Sequence, residues 1–542
     1  MSSVAVPLRV PAARSRRVLG LTGAALVAIG LPCVLFLVQA AWLGGWLIDD
    51  AGITFAYARN LASGHGLVAQ PGQVPVEGFS DPLWMLVIAA LFRMGLFDLP
   101  AAPKLLSFAL VAASFALLAR DLDRPGGPRW PAALGPALLA SSAPFVIWTS
   151  SGLENPLLAA LAALSCGLTA RALAGERRRD TAVGLTAALL ALTRPEAVLY
   201  AAVLPAGLLL MRPSGGSRVW LHRTGAHLAG LLPPLAGYLG FRRLYFGDWV
   251  PNTYHAKDHP ALAFLLDREK WLGLLDGTLG PLGLPVTLAL AIGLVVLARR
   301  GELGARGLSL ALHLGVAAVS YVLLPEDWMG EYRFATPFIL FLCWSLAEAV
   351  RVVHGDGRSG RRLAAAGLAL GLAAGSAAVH GPRLGEFAAR PVVPLESVAR
   401  YYGHGYNRLA DVLDLRGASL LAPDMGGTLL VSQLAVTDLV GLCDRTTARA
   451  LRSDTTAFHR HVFEVVRPTF IHVHGAWSGW ASLHAAPALG TEYVAIRETW
   501  QGESEPVWAD YVRRDALGAD PDTALQRLRQ AYLAMGMDRL SF

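Results

Sequence analysis

Apolar residues in this chain come in long blocks, not at the spacing of a soluble helix or strand. From Leu19 to His380, runs long enough to cross a bilayer follow one another, each crossing needing about 20 residues. They predict eleven helical spans, near 18–44, 103–119, 131–149, 156–174, 181–193, 197–211, 224–244, 279–298, 307–324, 334–350 and 363–380. The fifth and sixth are short and flank Arg194-Pro195-Glu196, where proline breaks a helix. The stretch 82–97 is also apolar and competes as a twelfth span.

After His380 the pattern changes, and residues 382–542 hold no run of span length. Ser419-Leu420-Leu421-Ala422-Pro423 and Thr469-Phe470-Ile471-His472-Val473 read as buried strands, and Asp522 to Met535 as a helix. About 160 residues suffice for one globular domain. The chain therefore divides into a membrane domain, 1–381, and a mixed α/β domain, 382–542. The fold class is a polytopic α-helical membrane protein with about eleven spans plus this C-terminal domain.

Arginine settles the twelfth span. If 82–97 lies at the outer surface and the N-terminus is inside, the segments 9–17, 120–130, 175–180, 212–223, 299–306 and 351–362 face the cytoplasm and hold 20 arginines. The outer connections 45–102, 150–155, 194–196, 245–278 and 325–333 then hold 7 Lys or Arg. Short cytoplasmic loops carry the basic excess, so eleven spans fit, and residues 382–542 lie outside. A crossing at 82–97 would put Arg177, Arg178 and Arg179 on the wrong side. The first apolar run is too long for a signal peptide and lacks a small-residue cleavage site, so it is a retained span.

Composition agrees: 54% of the 542 residues are hydrophobic and 16% charged, against about 25% charged in a soluble domain. The net charge is +7, but no basic cluster is interleaved with aromatics, which argues against a nucleic-acid partner. Cys33, Cys166, Cys343 and Cys443 are far apart and form no CxxC pair, so neither a disulfide framework nor a zinc site is indicated. His472 and His474 share one strand face, as His459 and His461 would if extended, yet no cysteine or nearby acidic partner completes a zinc motif, and they read as surface or core histidines.

Acidic residues segregate opposite to arginine, and ionisable groups at a membrane boundary are costly and usually retained for function. The first outer connection, 45–102, begins Trp46-Leu47-Ile48-Asp49-Asp50-Ala51-Gly52. Two adjacent carboxylates repel, so a metal, a cation or a proton should compensate them, and either could serve as a general base. The competing reading is a helix cap, a position Asp favours. Further on come Tyr57-Ala58-Arg59-Asn60, Gly64-His65-Gly66-Leu67-Val68 and Glu77-Gly78-Phe79-Ser80-Asp81-Pro82-Leu83-Trp84. Aromatics beside carboxylates suit sugar binding, although Phe79 and Trp84 also fit interfacial anchors.

In order and placement these motifs resemble the GT-C superfamily of membrane glycosyltransferases. They are most similar to the mycobacterial terminal arabinofuranosyltransferases, whose donor is decaprenyl-phospho-arabinose. The resemblance continues through Ser151-Gly152-Leu153-Glu154-Asn155, Arg194-Pro195-Glu196, the stretch Tyr245 to Lys257 with Asp248, Asn252, Tyr254 and His255, and Glu326-Asp327-Trp328-Met329-Gly330-Glu331-Tyr332-Arg333, covering roughly 45–335. Asp424-Met425-Gly426-Gly427 and Asp438-Leu439-Val440-Gly441 resemble the cap domains of related enzymes more loosely.

The resemblance implies a GT-C-like fold and an inverting-type transfer of a sugar, arabinofuranose as the best single choice, from a polyprenyl-phosphate donor. The acceptor would be an extracytoplasmic glycan or lipid-glycan of the cell envelope, and the enzyme would sit among the lipids of a bacterial inner membrane. It makes Asp50 or Asp49 the catalytic base and the outer loop 245–278 part of the donor site. A leaving phosphate needs positive charge or donors at its oxygens, supplied by Arg59, Arg194, Lys257 and Arg333, with Asn252, Tyr254 and His255 as neutral donors; snorkelling at a span end is the plain alternative for Arg333. Asn60, Glu77, Asp81, Glu154, Glu196, Asp248 and Asp327 complete the candidate donor or acceptor contacts. Glu154 either caps the span it precedes or, as in the related oligosaccharyl transferases, joins Asp49 and Asp50 in holding a divalent cation, Mg2+ or Mn2+. The rival function is a transporter or flippase of lipid-linked sugars, which midplane charges and inverted repeats would favour; the charges here gather at one face.

Overall fold

The computed structural model describes residues 23–122, 130–211, 216–257, 259, 261–299, 303–354, 359–501 and 505–537. The arginines of 9–17, and parts of the predicted inner connections at 123–129, 212–215, 300–302 and 355–358, lie outside them. Each predicted span contains a helix: Gly23–Trp42, Ala101–Leu122, Pro131–Ser141 with Ala143–Thr149, Asn155–Leu173, Asp180–Thr193, Val203–Met211, Gly216–Tyr245, Gly283–Arg299, Ala305–Leu323, Thr336–His354 and Ser359–Ala389. Among the described residues five helices are long and apolar enough to cross a membrane, or seven if each of two bent pairs counts as one.

The bends mark where apolar length alone misleads. The predicted span 131–149 is two helices meeting at 75°, because Ser142 is extended and Pro144 opens a new helix. The helices Arg268–Leu279 and Gly283–Val296 meet at 98°. Arg194 is extended between the Asp180–Thr193 helix and a 3-10 segment, Pro195–Ala202, as the proline requires. Pro82–Arg93 is a separate 12-residue helix packed on the helix Asp49–Ala62. The division drawn between 381 and 382 falls inside the helix Ser359–Ala389, which includes Pro382; the membrane-length apolar run ends there, but Leu384 and Phe387 keep one face buried for two further turns.

Beyond Ala389 the chain builds one five-stranded sheet, β1 (Ser419–Ala422), β2 (Ala435–Asp438), β3 (Phe470–His474), β4 (Tyr493–Gln501) and β5 (Glu505–Arg513), in the order β2-β1-β3-β5-β4. β1 runs parallel to β2 and β3, whereas β5 is antiparallel to β3 and β4. Helix Pro521–Ala534 packs beside β4, burying Ala524, Leu528 and Tyr532.

Sheet and helices share one apolar core, in which Leu47, Ile48, Trp84 and Phe338 join Leu395, Tyr402, Leu420 and Met425. Residues 46–49 are laced to 392–395 by backbone and side-chain bonds: Trp46 Nε1 donates to Val392 O (3.0 Å), Asp49 N to Val393 O (3.0 Å) and Leu395 N to Leu47 O (2.9 Å). Gln70 covers the outer edge of β2, donating to Leu434 O (2.9 Å) and accepting from Val436 N (2.8 Å). Satisfying an edge strand in this way removes a row of unpaired backbone groups and locks the first outer connection against the sheet.

Candidate functional site

Asp49 and Asp50 open the helix Asp49–Ala62. Successive helical side chains point about 100° apart, so the pair diverges. Asp49 turns inward and is 3% exposed; its Oδ2 accepts from Gly426 N (3.0 Å) and its Oδ1 from Gly427 N (2.7 Å). Burial and the neighbouring Asp424 charge push its carboxyl well above the usual range, partly offset by those two amides. The approach is close enough to require glycine: a Cβ on Gly426 would stand 1.7 Å from Asp49 O, and one on Gly52 2.6 Å from the Gly426 carbonyl carbon.

Asp50 faces the other way and stays 24% exposed. Its Oδ2 lies 3.9 Å from Arg333 Nη1. Arg333 is buried, pairs through Nε with Asp327 (2.9 Å), and packs over the rings of Phe334 (4.6 Å) and Trp148 (5.8 Å). Lys257 joins this field. Its side chain touches solvent, yet protein crowds the ammonium and, with the Arg333 charge, lowers its pKa, while Asp50 and Asp327 act in the opposite sense. A cavity of about 370 Å³ opens beside the group, lined by Asp327, Tyr332, Arg333 and Phe334 together with Lys270 and Arg383. One accessible carboxylate thus stands in the field of two cations, of which Arg333 also lines the cavity.

A second cluster backs the first. Arg194 is held between Glu154 (2.6 Å) and Glu196 and stacks on Phe334 (4.4 Å), so two guanidinium groups share that ring. Asp81 is buried beneath, accepting from the Thr54 hydroxyl at 3.1 Å. Burial and the Glu154 charge push the Asp81 carboxyl up to about 8.

The remaining candidates have partners elsewhere in the chain. Arg59 donates to Leu429 O and Leu430 O, at the end of the helix Gly426–Val431. Asn252 Nδ2 reaches Gly441 O (2.7 Å) and Leu442 O (3.0 Å). Asn60 ties its own loop through Val68 O and Ala69 O. Glu77 is bound by Arg242 (2.6 and 3.0 Å) and by Tyr238 (2.7 Å), anchoring the long helix Gly216–Tyr245. Asp248 pairs with His255 (3.0 Å) and Arg449 (3.2 Å), and Tyr254 lies exposed, stacked on His259.

A divalent cation at Asp49, Asp50 and Glu154 would have to share these carboxylates with protein partners. Glu154 is taken by Arg194, both Asp49 oxygens accept amides, and Asp49, Asp50 and Glu154 are not among the described groups whose ligand atoms converge within 4.8 Å. Asp424, His472 and His474 do converge. Sequence reading found no acidic partner for these histidines because Asp424 is 50 residues from His474 and Asp510 is 38 from His472. The parallel pairing of β1 with β3 closes the first gap, and the β3–β5 pairing the second.

Solved structures share this architecture. ArnT from Cupriavidus metallidurans in the apo state aligns with a TM-score of 0.55, covering 90% of this chain and 97% of its own at 14% identity. Its form bound to undecaprenyl phosphate gives 0.54, with 90% and 98% covered at 13% identity. The chain has the ArnT fold. The archaeal oligosaccharyltransferase AglB from Archaeoglobus fulgidus, in complex with an inhibitory peptide and a dolichol-phosphate, aligns at 0.50 over 94% of this chain and 77% of its own, at 10% identity. No family model and no curated protein matches the sequence. At such low identities the agreement is one of fold alone.

Proposed function

We propose that the protein is a glycosyltransferase that moves a sugar, arabinofuranose by the motif resemblance, from a polyprenyl-phosphate donor to a cell-envelope glycan or lipid-glycan. It works at the outer face of a bacterial inner membrane, with the N-terminus inside and residues 390–542 outside. The observation that carries this reading is the accessible Asp50 carboxylate 3.9 Å from Arg333, with Lys257 in the same field, beside a cavity. The shared fold supports it, since one neighbour holds undecaprenyl phosphate and another dolichol-phosphate.

In this reading Asp50 takes the proton from the acceptor hydroxyl as its oxygen attacks the anomeric carbon from the face opposite the phosphate. The bond from that carbon to the phosphate oxygen breaks, and its electron pair leaves with the polyprenyl phosphate, whose growing negative charge meets Arg333 and Lys257. Asp327, Phe334 and Trp148 hold Arg333 in place. Asp49 positions the helix by docking on Gly426 and Gly427. Glu154, Arg194 and Glu196 brace Phe334 from behind.

The test is transfer by the purified protein from decaprenyl-phospho-arabinose and from the corresponding mannose and glucose lipids to a lipid-glycan acceptor. Transfer of arabinose above the other two supports the assignment. Transfer of a hexose alone overturns the sugar, and donor translocation across liposomes without any transfer overturns the enzyme.

A further inference from the structure

The C-terminal ends of β1 and β3, parallel neighbours in the sheet, bring three ligating side chains together at one edge. One ring nitrogen from each of His472 and His474 and a carboxylate oxygen of Asp424 all lie within 4.8 Å of one another. His474 Nε2 is already 2.7 Å from Asp424 Oδ2.

His472 supplies a second, independent sign. It is fully buried, and its Nδ1 is 2.7 Å from Asp510 Oδ1. An ionised carboxylate only accepts, so Nδ1 carries a proton, and in the neutral imidazole Nε2 is then the nitrogen with the lone pair. That Nε2 has no hydrogen-bond partner among the described residues. A buried nitrogen without a partner costs free energy unless something fills the position. Asp510 is itself fixed by Tyr532 (2.6 Å), Trp508 Nε1 (2.9 Å) and Tyr406, and the Tyr402 ring lies over His472 at 4.3 Å. A carboxylate that orients an imidazole by one nitrogen and leaves the other free is the usual outer shell of a metal-bound histidine.

We propose that Asp424, His472 and His474 hold one divalent transition cation of the Zn2+ class. Two imidazole nitrogens and one carboxylate oxygen suit Zn2+ and leave a fourth position for water. With bonds of 2.0–2.1 Å, tetrahedral ligand atoms lie roughly 3.3 Å apart, so the ion separates His474 from Asp424 by a few tenths of an ångström. Asp424 stands two residues before Gly426, and the Gly426 and Gly427 amides grip Asp49. The ion is therefore a pin: it stiffens the β1 turn that docks on the helix carrying Asp49 and Asp50.

The test is metal content of the full-length protein in detergent, grown with Zn2+ and measured by mass spectrometry after dialysis against a metal-free buffer. About one Zn2+ per chain is expected. His474→Ala, Asp424→Asn and His472→Ala should each lower it at least tenfold, and His459→Ala, a histidine on another element, should not. Replacement of Zn2+ by Co2+ should give the visible absorption of a tetrahedral nitrogen–oxygen site, lost in His474→Ala. Less than about a tenth of an equivalent in the parent protein, or unchanged content in well-behaved variants, overturns the proposal. Should all three variants aggregate, the Co2+ spectrum of the parent protein decides, its absence being refutation. Metal content is read without any transfer assay, so this inference and the proposed activity fail separately.

Discussion

Asparagine is the usual stand-in for aspartate when charge is to be removed and shape kept, but at position 49 it does not keep the hydrogen bonds. Both carboxylate oxygens of Asp49 accept from backbone amides, Gly426 N at 3.0 Å and Gly427 N at 2.7 Å. The side-chain amide of Asp49→Asn offers one oxygen, and its NH2 group must face the other backbone amide, donor against donor. The change loses one hydrogen bond to a charged acceptor, about 1.5–3 kcal/mol, and leaves a buried donor unsatisfied, about 1–3 kcal/mol. Together these come to about 2.5–6 kcal/mol at the joint between the first outer helix and the β1 turn, less to the extent that burial already disfavours the charged form. Asp50 makes no such bonds among the described residues, and Asp50→Asn should leave the joint intact. The assay is thermal unfolding of both variants in detergent, read by tryptophan fluorescence, with limited proteolysis of residues 390–537 alongside. Asp49→Asn should melt several degrees lower and be cut faster, while Asp50→Asn matches the parent. Equal stability of Asp49→Asn and the parent protein would refute the docking role and reopen Asp49 as a chemical group.

Three further outcomes follow from the same geometry. Glu77→Gln leaves Arg242 buried without its counter-charge and should cost about 3–5 kcal/mol, seen as a lower melting temperature that Glu77→Gln with Arg242→Met partly restores. Asp81 holds its proton up to about 8 when folded but releases it near 4 when unfolded; the folded state therefore carries the extra proton between those values, stability from this group falls as pH rises through that window, and Asp81→Asn should flatten the fall in melting temperature between pH 5 and 8. Reporter fusions at Arg178 should report cytoplasm and those at Gly72 and Gly426 the outside; an outside signal at Arg178 would overturn the eleven-span arrangement.

Much of the helical frame was legible because each apolar run had no other way to be satisfied in a bilayer, and proline marked the break at Arg194-Pro195. The Asp49-Asp50 pair stood out for a similar local reason, being two charges at the end of a span. What could not be read was which carboxylate faces inward. That depends on Gly426 and Gly427, some 377 residues away, and on the lacing of 46–49 to 392–395. Glu77 and Asn252 looked like ligand contacts because polar residues in a Gly- and aromatic-rich loop suit either binding or fastening, and only their partners Arg242 and the Gly441 and Leu442 carbonyls tell the two apart. Asp424 was invisible as a partner of His474 until strand order placed β1 beside β3. Local pattern carries the elements; long-range pairing carries the site.

The most direct test of the central claim is the turnover of Asp50→Asn in proteoliposomes supplied with decaprenyl-phospho-arabinose and a lipid-glycan acceptor. The account predicts normal insertion, unchanged melting and retained donor binding, with transfer reduced by roughly a hundredfold or more, the scale of a lost general base. Near-normal transfer by that variant would contradict it.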